Sequence, residues 1–185
     1  PPAFDPRDPD PGWAGDDMRL DMTFSDGAVT PVGDVPQIDG LDGTLTIENE
    51  TLTVTATGGT ATASSGGEVT LPDGVFAIQN LPLRDGKMAS VKTRMEGSAS
   101  DLGAMVNSAP FRVLDRADLK NDGVEGAGEL EITASFPLGN EIDLADIDWQ
   151  ATGRLTNFSD SNPIMGHTVR KSDVALEANK DQVAI

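Results

Sequence analysis

Residues 43 to 57, GTLTIENETLTVTAT, alternate apolar and polar side chains with a period of two. Leu45, Ile47, Leu52 and Val54 are interleaved with Thr44, Thr46, Thr51, Thr53 and Thr55. Successive side chains of a strand point to opposite faces, so the pattern predicts a pair of half-buried strands. A two-residue turn at Asn49-Glu50 sets Glu48 opposite Thr51, Ile47 opposite Leu52, Thr46 opposite Thr53 and Leu45 opposite Val54. Every apolar residue then lies on one face and the threonines on the other, so pattern and turn agree on a single register. Asn accepts the left-handed backbone of such a turn, and Glu does so less readily.

The same period recurs along most of the chain. MRLDMTF (18–24) places Met18, Leu20, Met22 and Phe24 on one face, and AVTPV, with Pro31 unable to donate to a ladder, reads as an edge-like piece. GGTATASSGGEVTL predicts two weak strands around Gly66 and Gly67; GVFAIQNL and GKMASVKTRMEG predict two more, the second with Ala89, Val91, Thr93 and Met95 together. In SASDLGAMVNSAPF the period changes. Leu102, Met105, Val106 and Ala109 stand at i, i+3, i+4 and i+7, which predicts a helix over 101–109. Ser100 is the expected N-cap, Asp101 suits the positive N-terminal end, and Pro110 ends the helix near Ala109. FRVLDRADLK predicts another turn or two of helix.

After the NDG turn the strands return and lengthen. EGAGELEITASFPL alternates through Leu130, Ile132 and Ala134, and DIDWQATGRLTNF through Ile147, Trp149, Ala151, Gly153 and Leu155. SDVALEA and QVAI close the set. The expected fold is therefore mainly β with minor α: an extended, curved antiparallel sheet with one short helical segment lying against its apolar face. Residues 1–17, PPAFDPRDPDPGWAGDD, read as a Pro- and Asp-rich linker. Residues 18–185 read as a single β-rich domain, expected to be a fragment of a longer protein.

Composition narrows what such a sheet does. The chain has 185 residues, 4% aromatic, with no Cys and no Tyr. The absence of Cys excludes a disulfide scaffold, a thiolate metal site and a cysteine nucleophile. Thirty-one acidic against 13 basic side chains give a net charge of −18, which repels phosphate backbones, so nucleic-acid binding is not expected. The acids are scattered through turns and polar strand faces, as on a solubilising surface. No run approaches the ~20 apolar residues of a membrane helix.

Candidate chemistry is sparse. His167 is the only histidine, within the polar stretch SDSNPIMGHTV, and cannot alone form a histidine metal site. No Gly-x-Ser-x-Gly elbow or phosphate-binding glycine loop is present, and neither DPRDPDPGWAGDD nor NDGVEG has the ligand spacing of a calcium loop. The expectation is a protein that is not an enzyme, with no catalytic residues, no metal and no cofactor.

The second half resembles a known family. A helical segment, APFRVLDRADL, is followed by a turn, by GVEGAGELEITASFPL and by DIDWQATGRLTNFSD. Phe136-Pro137-Leu138, Leu155-Thr156-Asn157-Phe158 and Gly126 after Gly123 match the pattern of the AsmA-like envelope proteins of Gram-negative bacteria, in particular the central region of the YhdP-type members. Upstream, GLDGTLTIENETLTVTATGGTA is similar to that family's hairpins. The resemblance covers residues 38–185. It implies a segment of a longer, inner-membrane-anchored parent that faces the periplasm and serves outer-membrane biogenesis, with neighbouring β segments of the same chain extending the sheet into a lipid-transport groove. Its partners would be phospholipid acyl chains. The lipid-facing residues it implies are Leu130, Ile132, Ile147, Trp149 and Leu155 on the long strands, and Leu45, Ile47, Leu52 and Val54 on the hairpin. The long strands are the better groove candidates, because about a dozen residues exceed the usual five or six of a strand. The other reading of the same side chains is an ordinary core beneath the 101–109 helix. Two further classes remain open: a structural or adhesive β-module of a bacterial surface protein, and a protein-binding scaffold in an envelope complex.

Overall fold

Alternation along the chain becomes one antiparallel sheet of ten strands in the computed structural model, which describes residues 19–81, 85–139, 142–164 and 167–184. The 1–17 linker, Met18 and Ile185 lie outside the described residues. The first five strands are β1 (Leu20–Val29), β2 (Ile38–Glu48), β3 (Thr51–Thr57), β4 (Thr60–Thr62) and β5 (Glu68–Gln79). After β6 (Lys87–Ser98) come the helices α1 (Ala99–Val106) and α2 (Val113–Ala117). The sheet resumes with β7 (Val124–Leu138), β8 (Asp148–Ile164), β9 (His167–Asn179) and β10 (Val183–Ala184). Its spatial order is β1-β2-β3-β5-β6-β7-β8-β9-β10, a near-perfect meander from which only β4 departs, by pairing with β2 and β5.

The hairpin register follows from the alternation. Glu48 pairs with Thr51, Ile47 with Leu52, Thr46 with Thr53 and Leu45 with Val54. Asn49 and Glu50 both take the left-handed conformation, at φ 49° and 61°, which matches the right-handed twist of the flanking strands.

Directly opposed residues share a face, so the pairings define rows that run across the sheet. One row is Leu20, Ile47, Leu52, Ile78, Ala89 and Phe136. The next runs Met22, Leu45, Val54, Phe76, Val91, Ala134 and Trp149. Apolar residues therefore cover one face from edge to edge. The helices cover only part of it: α1 packs on β7 and β6 and reaches β5, while α2 packs on α1 and β10. Burial follows that cover. Met22 is 53% exposed at one end of its row, whereas Trp149 is 5% exposed at the other.

Several expectations change in detail. The helix is capped by Ser98, not Ser100. Ser98 Oγ accepts the Asp101 amide (3.1 Å), the side-chain cap that opens the helix, while the Ser98 hydroxyl donates to the Asp101 carboxylate. It ends at Val106, three residues before Ala109, because Asn107 turns out of it. The Asn107 Oδ1 accepts the Asp115 amide and its Nδ2 donates to Asp115 Oδ1, both at 3.0 Å, which fastens α1 to α2. EVTL and GVFAIQ are not separate strands. Pro72 and Asp73, between the two expected strands, form an irregularity inside β5, between the Thr70 and Asp73 pairings.

The described residues of the stretch around His167 are strand and not loop, with β8 continuing to Ile164 and His167 opening β9. The register shift between Glu125 and Ala127 centres on Gly126 (φ 123°), where a Cβ would lie 2.8 Å from the Thr156 carbonyl oxygen. Opposite it Asn157 is left-handed (φ 52°), and the ladder to β9 also shifts between Leu155 and Phe158. The shift changes strand parity, so that Leu155 and Phe158 are both buried with two exposed residues between them.

Candidate functional site: an open apolar sheet face

The nine residues implied to face lipid separate into two groups. Leu130, Ile132, Ile147, Trp149 and Leu155 are between 1% and 8% exposed and belong to the core that also holds Leu102, Met105 and Val106 of α1. Phe111 meets Trp149 edge to face (centroids 5.2 Å apart, planes at 82°), and the Arg116 guanidinium carbon lies 5.7 Å from the centre of the same ring. Leu45, Ile47, Leu52 and Val54 are only half-buried. No described helix lies over β1, β2 or β3. The apolar surface presented to the outside is therefore that of the hairpin half, whereas the five long-strand residues form a closed core.

This open half has relief. A groove of about 490 Å³ is lined by Phe24, Ile38, Leu41, Val54, Phe76 and Val91, with Ala56 and Gly74 along its floor. Its depth comes from the row Phe24, Gly43, Ala56, Gly74, in which small residues follow one aromatic. The Phe24 ring closes over Gly43, where a Cβ would come within 2.7 Å of it. The volume falls in the ~300–1,000 Å³ range of ligand sites, and the walls are predominantly apolar. A second space, about 80 Å³, lies beneath the helices against Leu102, Val113, Leu130, Phe158 and Asp160. It has room for only two or three waters at ~30 Å³ each.

Ile38, Leu41, Phe76 and Val91 were not implied as contact residues. In GVFAIQ four apolar residues, Val75 to Ile78, are consecutive, so alternation cannot say which of them share the open face; only the register, Val54 opposite Phe76, decides it. No described group of three or more His, Asp or Glu side chains is placed to hold a metal ion. What the open face offers chemically is desolvation of apolar groups, at about 25 cal/mol per Å².

Polar order is concentrated where α1 begins. The Asp101 carboxylate accepts Ser65 Oγ at 2.6 Å and Ser98 Oγ at 2.5 Å, joining the turn after β4 to the helix N-terminus. The Ser65 bond foremost, then that from Ser98, holds its pKa below the ordinary 3.8 against a smaller upward push from burial. A depressed carboxylate pKa contributes stability that is present above the unfolded value and is lost as pH falls through the folded one. Asp101→Asn should thus lower stability at pH 7 by about 1 kcal/mol. The gap from the parent should narrow below about pH 4, as urea midpoints at pH 7 and pH 3 would show. A gap equal at both pH values would refute the assignment.

Arg19 donates to Asp21 (2.6 Å) and Glu48 (3.2 Å) on the opposite, polar face. The hydrogen bond from Arg19 lowers the Asp21 pKa, while the two carboxylates raise that of Arg19. All three side chains are solvent-exposed, so the cluster orders the surface and adds little to stability.

No described helix is long and apolar enough to cross a membrane. Comparison of the chain with family models, with curated proteins and with solved structures finds no match.

Proposed function

We propose that this chain is a segment of an AsmA-like, periplasm-facing envelope protein whose open apolar sheet face contacts phospholipid acyl chains. The observation that carries the reading is the apolar face that runs through every long strand and is roofed by helices over only one half. The sequence resemblance through Phe136-Pro137-Leu138 and Leu155-Thr156-Asn157-Phe158 supports it. An anchored parent and neighbouring β segments belong to the same proposal. The work required is non-covalent: each acyl CH₂ taken out of water contributes about 0.8 kcal/mol, so a groove of this size offsets part of the cost of leaving the bilayer. The face that does this is the hairpin half, with Leu45, Ile47, Leu52 and Val54 beside the groove-lining Phe24 and Phe76. Against a sandwich-type adhesive module stands the single sheet, since the described strands form one layer and not two facing ones.

The test is site-specific photo-crosslinking in vesicles of zwitterionic phosphatidylcholine. A photoreactive side chain at Val54 should yield lipid adducts, whereas one at Ile132, inside the closed core, should yield none. If Val54 labels no better than Ile132, the lipid reading fails.

A further inference from the structure

A sheet has two edges, and exposed edges invite further strands unless they are blunted. At one edge β10 is two residues long, and Arg116 ties the chain before it by donating to the carbonyl oxygens of Asn179 and Lys180. The other edge is different. β1 is ten residues long with no Pro and no Lys, and its bulges fall after Phe24, leaving Leu20–Phe24 in unbroken register with β2. Leu20 and Met22 project from it on the apolar side, 37% and 53% exposed, at the end of rows that continue across the open face.

The charge around this edge is one-sided. From Leu20 through Gln79 there is no Lys, Arg or His. The same stretch carries Asp21, Asp26, Asp34, Asp39, Asp42 and Glu48 on β1, β2 and the loop between them, Asp34 being paired with Arg112; farther on come Glu50, Glu68 and Asp73, the last paired with Arg94. The nearest described cation, Arg19, is bound to Asp21 and Glu48.

We propose that β1 is a docking edge for an extended segment of another protein in which apolar residues alternate with Lys or Arg. Added antiparallel or parallel to Leu20–Phe24, such a segment pairs its backbone with the side of β1 on which no described strand lies. Its apolar residues prolong the Leu20 and Met22 rows, and its cations meet the carboxylates on the polar side. The same charges disfavour a second copy of this chain, which would bring two sets of β1 and β2 carboxylates together along the edge. The inference concerns the edge: it does not depend on acyl chains occupying the face, and it requires that the neighbouring β segments of the parent leave β1 unpaired.

The experiment uses the whole chain and a fluorescein-labelled nonapeptide alternating Lys and Val. Two controls accompany it: the same composition written as a block of Lys then a block of Val, and an alternating Glu-Val peptide. Fluorescence anisotropy should show binding of the Lys-Val peptide alone, weakened on the order of tenfold between 50 and 200 mM salt. Asp21→Lys should weaken it several-fold with an unchanged circular dichroism spectrum. Amide hydrogen exchange should slow at Leu20–Phe24 in the complex. Equal binding of the block peptide without slowed exchange would reduce the effect to ion pairing and overturn the proposal. Protection of β1 without peptide, together with a dimer by sedimentation, would assign the edge to a second copy instead. No binding of the alternating peptide would also refute it.

Discussion

Ile132→Glu is expected to unfold the domain, while Ile47→Glu leaves it folded. Both residues sit on the apolar side of the sheet, and the two substitutions are chemically identical. Ile132 is 5% exposed, in a row with Thr93, Ala151 and Ala178 and within the core that includes α1. A carboxylate there is buried without a partner and costs several kcal/mol, comparable to the ~5–15 kcal/mol stability of an ordinary domain. Ile47 is half-buried on β2, beyond the reach of either helix, so its replacement reaches water and should cost about 1 kcal/mol. Urea unfolding followed by circular dichroism measures both. Equal, severe losses would mean that the hairpin half is also a closed core, and the lipid and edge proposals would then lose their shared surface.

The second large effect is expected from Leu102→Ala, at about 3 kcal/mol. Leu102 is 1% exposed and is among the largest fully buried side chains described. Alanine is the better helix former, so the loss cannot come from helix propensity; it measures the packing of α1 on β6 and β7 and the cavity left behind. Because α2 leans on α1, loosening one also frees Phe111 and Arg116 from Trp149. Trp149 fluorescence should shift to the red before global unfolding in urea. A loss below about 1 kcal/mol would show that the helical layer is not what closes this half of the core.

How much of this was legible in the sequence depended on whether the signal was local. The 43–57 register was legible because a two-residue turn and strict alternation leave one solution. The change of period at α1 was equally local, but its cap was misplaced by two residues at Ser100, because Ser98 lies within the alternating run of β6 and only its bond from the Asp101 amide marks it as the cap. EVTL and GVFAIQ read as separate strands although they form one, because Pro72 and Gly74 interrupt the alternation and such residues accompany bulges as well as strand ends. The division of the apolar face into roofed and open halves was the least legible feature, since it depends on which strands the helices cross. A signal did exist: a helix that joins β6 to β7 by short connections has little choice but to lie on those strands, and not on the hairpin. The long alternating strands at Ile132 and Trp149 were read as groove candidates for their length, but length also fits a strand that carries a helical roof.

The meander has one more consequence, in mechanics. Leu20 and Ala184 belong to opposite edges of the sheet, eight inter-strand steps apart, or about 38 Å at ~4.8 Å per step. Tension applied through those two positions does not shear the sheet along its strands. It opens the outermost ladders a few hydrogen bonds at a time, β10 from β9 and β1 from β2, as a zipper opens. Resistance then rises at the roofed strands β6 and β7, where α1 must be lifted off together with the backbone pairs beneath it. Under load the molecule is compliant at its rims and stiff at its centre, and at the β1 rim Arg19 ties β1 to β2 through Asp21 and Glu48.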